Sequence, residues 1–278
     1  EFQDHCGQLL RPDRDHVEGP LLCESASDHP GGEQLLRGRR LPGPERPAVG
    51  HEAERGRPLH RLPRPPQSYL DAYQCGADDI YVVTLSALLS GSHNSAVQAR
   101  VLLEEEEPER NVHVFNSCSA SSGEVLTALK IRELASSGMP FKKVVREVEQ
   151  YICQMQTLFV LESLENLRKN GRLTKLQAVV TGALRIKLLM GATPQGEICK
   201  LGQALTMKQA LGKLVDRMAA DPDHQGRVAA VCHCNCLERA FALKEQIEAK
   251  CQFQQVLILE AGGITTVYAN DGGVVVAY

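Results

Sequence analysis

Residues Ile80 to Leu85 (IYVVTL) form an apolar run interrupted only by Thr84 and too short to be a helix of its own. A strand of that composition is stable only when both of its faces are covered, as in parallel sheets with helices on either side. The run leads into Leu89-Ser90-Gly91-Ser92 and then into the helix-compatible SHNSAVQARVLLEEEE. The succession recurs: Val112 to Phe115 reads as a strand, and helical patterns run from Ser122 to Ala135 and from Phe141 to Met155. Gly138-Met139-Pro140 separates those helices with a glycine stop and a proline start. Further on, Leu158 to Leu161 reads as a strand and Ser163 to Asn170 as a short helix stopped by Gly171. Thr174 to Leu184 is helix-compatible, and IKLLMGATPQGEICKLG reads as a hairpin that turns at Pro194-Gln195-Gly196. Met207 to Ala219 and Leu237 to Lys250 are amphipathic, with strands at Val228 to Val231, Gln255 to Leu259 and Gly273 to Tyr278. Strands alternating with helices predict an α/β fold with mainly parallel sheets. A division near Gln154 to Thr157 gives two lobes, residues 68–156 and 157–278.

The totals fit that picture. A chain of 278 residues accommodates two ordinary domains. A formal charge of −3 gives no electrostatic footprint for nucleic acid. No apolar stretch suits membrane insertion, and nothing has a signal peptide's order. Ten cysteines scattered without a framework suit a reducing compartment, so a cytoplasmic location is expected.

Residues 1–66 do not belong to the same pattern. They hold ten of the twenty arginines, ten of the fourteen prolines and five of the nine histidines, yet no lysine, isoleucine, threonine, asparagine, methionine or tyrosine. That bias follows GC-rich codons rather than the Lys and Thr usage of disordered tails. The codons permitted by Asp4 to Gly19 (DHCGQLLRPDRDHVEG), read one nucleotide later, allow IIADSCCDLTETMLKD, a short strand entering an Asp-Ser turn. The same shift turns CESASDHPGGEQLLRGR, Cys23 to Arg39, into VKVPLTIQVENSYYVDD, again strand and turn. Residues 1–67 are therefore read as an aberrant, frameshifted segment, from which no strand packed on Ile80 to Leu85 is expected.

From Ser68 onward, four stretches together resemble the DegV family. Leu85-Ser86-Ala87-Leu88-Leu89-Ser90-Gly91-Ser92 stands at the family's I-S-S-x-L-S-G-T, and Val114-Phe115-Asn116-Ser117 at its V-x-D-S. Val160 to Leu173 follows its strand, L-x-x-L and G-G-R-I order, and Tyr268-Ala269-Asn270-Asp271-Gly272-Gly273 its closing turn. The shifted N-terminus also agrees with the family's opening I-I-x-D-S. The resemblance implies a ligand cleft between the two lobes and a long-chain fatty acid as ligand. It further implies presentation of the carboxylate to a fatty-acid kinase, and a binding protein without cofactor or catalysis of its own.

The residues are compatible with that role. Ser86 follows the C-terminal end of a buried strand, the usual ligand position in an open α/β sheet. The Ala87 N–H and Ser90 stand where a helix opens, and free N–H groups there favour an anion. Arg172 is the candidate cation for a buried carboxylate. The family's C-terminal H-x-G-P-G turn is Ala269-Asn270-Asp271-Gly272-Gly273 here, so Asn270 takes the place of the histidine as an uncharged donor.

Other chemistry has less support. Cys232-His233-Cys234-Asn235-Cys236 lacks zinc-ligand spacing and a second pair, and is read as small residues closing a strand. His113 is read as a strand residue, and Glu104 to Glu107 as a solvated run. No P-loop, G-x-S-x-G, H-E-x-x-H or G-x-G-x-x-G occurs. The rival from the enzyme class is phosphotransfer on a small hydroxylated or ketone substrate, because dihydroxyacetone kinases resemble this architecture. The coding DNA tests the frameshift directly. Sequencing is expected to expose one single-nucleotide discrepancy upstream of Asp4 and a compensating one near codon 67, whereas one uninterrupted frame in independent clones overturns the reading.

Overall fold

The computed structural model describes residues 64–176 and 186–278, together with the short strand Leu21–Cys23. The first sheet is parallel, with order β1 (Leu21–Cys23), β2 (Asp79–Thr84) and β3 (Asn111–Asn116). As its apolar run requires, β2 is covered on both faces. Ile80 and Val82 pack with Val112 and Val114 against α1 (Pro66–Tyr73) and α2 (Ser92–Glu106). Tyr81, Val83 and Phe115 pack on the opposite side against α3 (Ser122–Ser136) and α4 (Phe141–Gln154).

The strand Leu21–Cys23 corrects one expectation, because it pairs in parallel with Tyr81–Val83. The open edge of β2 carries unpaired N–H and C=O groups that any extended backbone can satisfy, so three pairings there are sequence-independent.

The second sheet has six strands in the order β6-β5-β4-β9-β7-β8. They are β4 (Thr157–Val160), β5 (Lys187–Ala192), β6 (Ile198–Ala204), β7 (Val228–His233), β8 (Gln255–Glu260) and β9 (Val274–Ala277). The expectation of mainly parallel sheets fails here: only β7 and β8 are parallel, and the other four pairings are antiparallel. The reason lies in the connections. Parallel neighbours need a crossover; α7 (Leu237–Lys250) supplies one between β7 and β8, whereas β5 and β6 form a hairpin and β9 enters between β4 and β7 antiparallel to both. One face of this sheet is sealed by α6 (Met207–Ala220) and α7 through Leu211, Leu214, Met218, Leu243 and Ile247. Thr206 caps α6 by accepting the Gln209 N–H at 3.2 Å.

Helix α3 sits between the sheets. Ala128 and Ile131 pack on the first, while Val125 and Leu126 pack on Ala230, Cys232 and Ala277 of the second. Its first seven residues, from Ser122 to Ala128, are all buried, the pattern of a helix covered all round. The Glu124 carboxylate accepts the Ser121 N–H at 2.7 Å and fixes the start of the helix.

Two helices carry the remaining face, α5 (Glu165–Lys169) and α8 (Gly263–Ala269). The sequence reading did not anticipate α8, whose ITTV run favours a strand by propensity; Asn166 Nδ2 bonds the Val267 carbonyl at 2.6 Å and ties it to α5. Thr174–Leu176 form one 3-10 turn, and the rest of the helix expected to Leu184 lies outside the described residues apart from its start. Leu214 is fully buried between α6 and the sheet. Leu214→Ala is expected to lower stability by about 2–5 kcal/mol in urea titration.

Candidate functional site

The C-terminal ends of β2 and β3 face the uncovered side of the second sheet, and a cleft of about 1300 Å³, open mouth included, lies between them. Phe159, Leu161 and Val275 of the second sheet, Leu85 and Leu89 of the first half and Ile264 of α8 give it apolar walls. Apolar walls cannot orient a ligand; that falls to the few polar groups among them.

The most specific of those is Arg172, and its position follows from a helix-termination signal. Gly171 adopts φ +75°, the left-handed conformation that glycine reaches without penalty. The Gly171 N–H donates to the Arg168 carbonyl at 3.0 Å, and the Arg172 N–H to the Leu167 carbonyl at 2.9 Å. These two bonds constitute a Schellman motif, which reverses the chain and sends the next side chain back across the end of α5. Arg172 reaches the cleft there, with Nε donating to the Leu89 carbonyl at 3.1 Å and Nη1 to the Asn170 carbonyl. Its guanidinium carbon lies 5.8 Å from the centre of the Tyr268 ring. Among the described residues no carboxylate lies within salt-bridge distance of Arg172, and Nη2 takes part in neither carbonyl bond. A guanidinium carries five donors, and two of its nitrogens are engaged by these carbonyls, so further N–H groups remain on the cleft side.

Ser90 stands beside it. Its Oγ accepts the Ser92 N–H at 3.2 Å and lies 2.9 Å from Ser92 Oγ, and both serines line the cleft at the start of α2. A second polar pair, Ser119 and Thr157, shares a hydroxyl contact of 2.6 Å where the two halves meet. Cys118 also lines the cleft, its thiol pKa raised by burial, with further contributions from Cys153 and Glu149.

Of the five residues expected from sequence, Ser90 and Arg172 come together in this cleft, and the other three are committed elsewhere. Ser86 is fully buried, and its Oγ donates to the Gly196 carbonyl at 2.8 Å. The Ala87 N–H is taken by Asn116 Oδ1 at 3.0 Å, which also accepts the Cys118 N–H at 3.2 Å. Asn270 braces α8 against α5: its amide bonds the Ser163 carbonyl at 3.2 Å, and its oxygen accepts from Asn166 at 2.9 Å. The loop after β2 does line the cleft through Leu89 and Ser90, but the donors of Ser86 and Ala87 within it are taken by other partners. Tyr268 and Ile264, which sequence reasoning missed, share one face of α8 at i, i+4 spacing, a pattern legible only once that segment is known to be a helix. The cysteine-rich strand end is structural. Cys232 and Cys234 are buried, with Cys234 pushed up to about 11 chiefly by burial, and His233 Nδ1 accepts the Cys236 N–H at 3.3 Å. Burial lowers the His233 pKa, so the ring favours its neutral form.

Comparison with known proteins agrees with this architecture. The profile described as "Uncharacterised protein, DegV family" matches residues 62–278. A DegV domain-containing protein of Streptococcus gordonii is 35% identical over 213 residues, 77% of this chain and 75% of that one. The crystal structure of a DegV family protein from Ruminococcus gnavus, refined with vaccenic acid, is 49% identical, with a TM-score of 0.75 and 78% of each chain covered. The Streptococcus pneumoniae fatty acid kinase B3 protein loaded with linoleic acid is 32% identical, with a TM-score of 0.73, covering 78% of this chain and 76% of that one.

The Schellman turn supplies a direct test of how Arg172 is placed. A Cβ on Gly171 would meet no atom within 4 Å, so the cost of Gly171→Ala is conformational rather than steric. The substitution is expected to destabilise by about 1–2 kcal/mol, read from the urea midpoint. No change would mean that the left-handed turn does not set the position of Arg172.

Proposed function

The chain belongs to the DegV family, and from that premise we propose that it binds a long-chain fatty acid in the cleft between its two halves. The observation that carries this reading is Arg172: a guanidinium on the wall of a mostly apolar cleft, with no carboxylate within salt-bridge distance among the described residues. On the same wall Arg64 adds a second cation, and Glu124 accepts the Ser121 N–H at the start of α3. An isolated carboxylate is costly to hold away from water unless it is paired and hydrogen-bonded. Arg172 offers a planar fork for both carboxylate oxygens, and Ser90 a neighbouring hydroxyl. The acyl chain then lies against Phe159, Leu161, Ile264 and Val275, each buried methylene contributing about 0.8 kcal/mol. The relatives crystallised with vaccenic and linoleic acid support the same ligand class. Ser86, Ala87 and Asn270 shape the site's surroundings in this proposal, without touching the ligand.

The fatty acid kinase B3 protein among the relatives supports a second step, in which the bound acid is presented to a fatty-acid kinase. In that role the chain is a carrier, and phosphorylation belongs to its partner. The closing turn bears uncharged Asn270 in place of the histidine of the family pattern, so the counter-charge falls to Arg172, with Arg64 also on the cleft wall. We read residues 68–156 and 157–278 as the two functional lobes, residues 1–67 as out of frame, and the protein as one that works in the cytoplasm. The apolar walls of the cleft favour an acyl chain over the small polar substrate of a phosphotransferase.

Denatured protein is expected to release a fatty acid detectable by mass spectrometry. In titrations, Arg172→Ala should weaken binding of the ionised acid by about 2–5 kcal/mol, and that of the matching fatty alcohol much less. Equal losses for the two ligands would show that Arg172 acts through packing alone. No released lipid, together with no binding of added acid, would remove the proposal.

A further inference from the structure

We propose that the tip of the β5–β6 hairpin, Thr193 to Ile198, is a gate on the cleft and that Ser86 is its latch. This rests on the fatty-acid reading and concerns how the ligand enters.

A second, wide-mouthed cavity of about 930 Å³, open solvent at its mouth included, lies beside the cleft, bordered by Ala87, Gly91, Asn170, Thr174, Lys175 and Glu197. The two cavities share Leu89, Ser90, Arg172 and Ile198, so these four side chains form the partition between them. Three of the four are otherwise anchored. Leu89 and Ser90 belong to the loop entering α2, and Arg172 is fixed by the Schellman turn and two carbonyls. Ile198 alone is carried by the hairpin.

Among the described residues, that hairpin tip is seated on the first half by a buried hydrogen bond. Ser86 Oγ donates to the Gly196 carbonyl at 2.8 Å and accepts the Leu88 N–H at 3.3 Å, while the Ser86 N–H donates to the Ser119 carbonyl at 2.7 Å. Gly196 has φ +85°, and a Cβ there would come within 2.3 Å of Ser86 Oγ and 2.9 Å of the Cys118 Cα. The turn therefore fits closely against the first half. The ion pair of Glu197 with Lys175 is solvent-exposed, and exposed pairs contribute little. Below the tip the ladder shifts register between Leu189 and Met190, close to Gly191 and Gly202. Bulges bend a strand locally and interrupt its pairing, which provides a hinge. Breaking the Ser86 bond would let the tip swing on that hinge, withdraw Ile198 and join the two cavities. The second cavity is then the antechamber, with half-exposed Leu88 and exposed Lys175 at its border.

Ser86 is thus a positioning residue, and exchange kinetics distinguish this from a role in holding the carboxylate. Ser86→Ala is expected to speed both association and dissociation of a fluorescent fatty acid by roughly five- to tenfold, the worth of one neutral hydrogen bond. Equilibrium affinity should stay within about twofold of wild type, since a gate acts on both rates alike. The fatty alcohol should show the same acceleration as the acid. Gly196→Ala, which displaces the Ser86 hydroxyl from the hairpin side, should reproduce the effect, with thermal melting confirming that both variants fold. In the unaltered protein, amides of residues 193–198 should exchange hydrogen faster than those of Val228 to His233, as a sub-global opening requires. Wild-type exchange rates in both variants, an effect confined to the acid, or hairpin amides as protected as the core would each overturn the gate. Failure of the wild type itself to take up any fatty acid would instead sink the binding reading on which the gate depends.

Discussion

The burial of helix α3 on both sides is the constraint on which the rest of the molecule depends. Val125 and Leu126 belong to the core of the second sheet, whereas Ala128 and Ile131 belong to that of the first. Each fully buried Val, Leu or Ile contributes about 1.5–3 kcal/mol relative to exposure, so one helix bonds two sheets that share no ladder. It also fixes their spacing. The cleft exists because α3 fills only part of the gap, and Ser119, Ser121 and Glu124 at its start line the part left open.

Around that gap the chain separates apolar capacity from charge. The walls come from strand residues whose alternation points one set to the sealed face under α6 and α7 and the other set to the cleft, as Val160 and Phe159 illustrate. The charge comes from a helix end. A guanidinium on a long flexible stem is a poor receptor unless its geometry is set in advance, and here the Schellman turn, two carbonyls and the Tyr268 ring set it.

The loops that meet the cleft are internally cross-braced. Asn116 joins the loop after β2 to the loop after β3 by accepting N–H groups from both, and Asn270 joins α8 to α5. Each brace consumes a donor or acceptor that would otherwise be available to a ligand. Buried polar groups must be satisfied, and in a tightly connected site most are satisfied by the protein itself.

The sequence by itself determined the elements and their chemistry. IYVVTL could be stable only as a strand covered on both faces, Leu237 to Lys250 only as a helix with one buried stripe, and Gly171 followed by Arg172 already implied a helix stop that aims a cation. It also separated residues 1–66 from the rest by composition. The tertiary structure alone decided strand direction in the second sheet, because pairing there depends on which connections cross over and on the insertion of β9 between β4 and β7. It alone made a helix of the β-branched segment Gly263–Ala269, where contact with α5 outweighs propensity. It also sorted Ser90 and Arg172 into the cleft and Ser86, Ala87 and Asn270 out of it. The physical reason is that a polar group's availability depends on which partner reaches it first, and those partners, Gly196, Asn116 and Asn166, lie 110, 29 and 104 residues away along the chain.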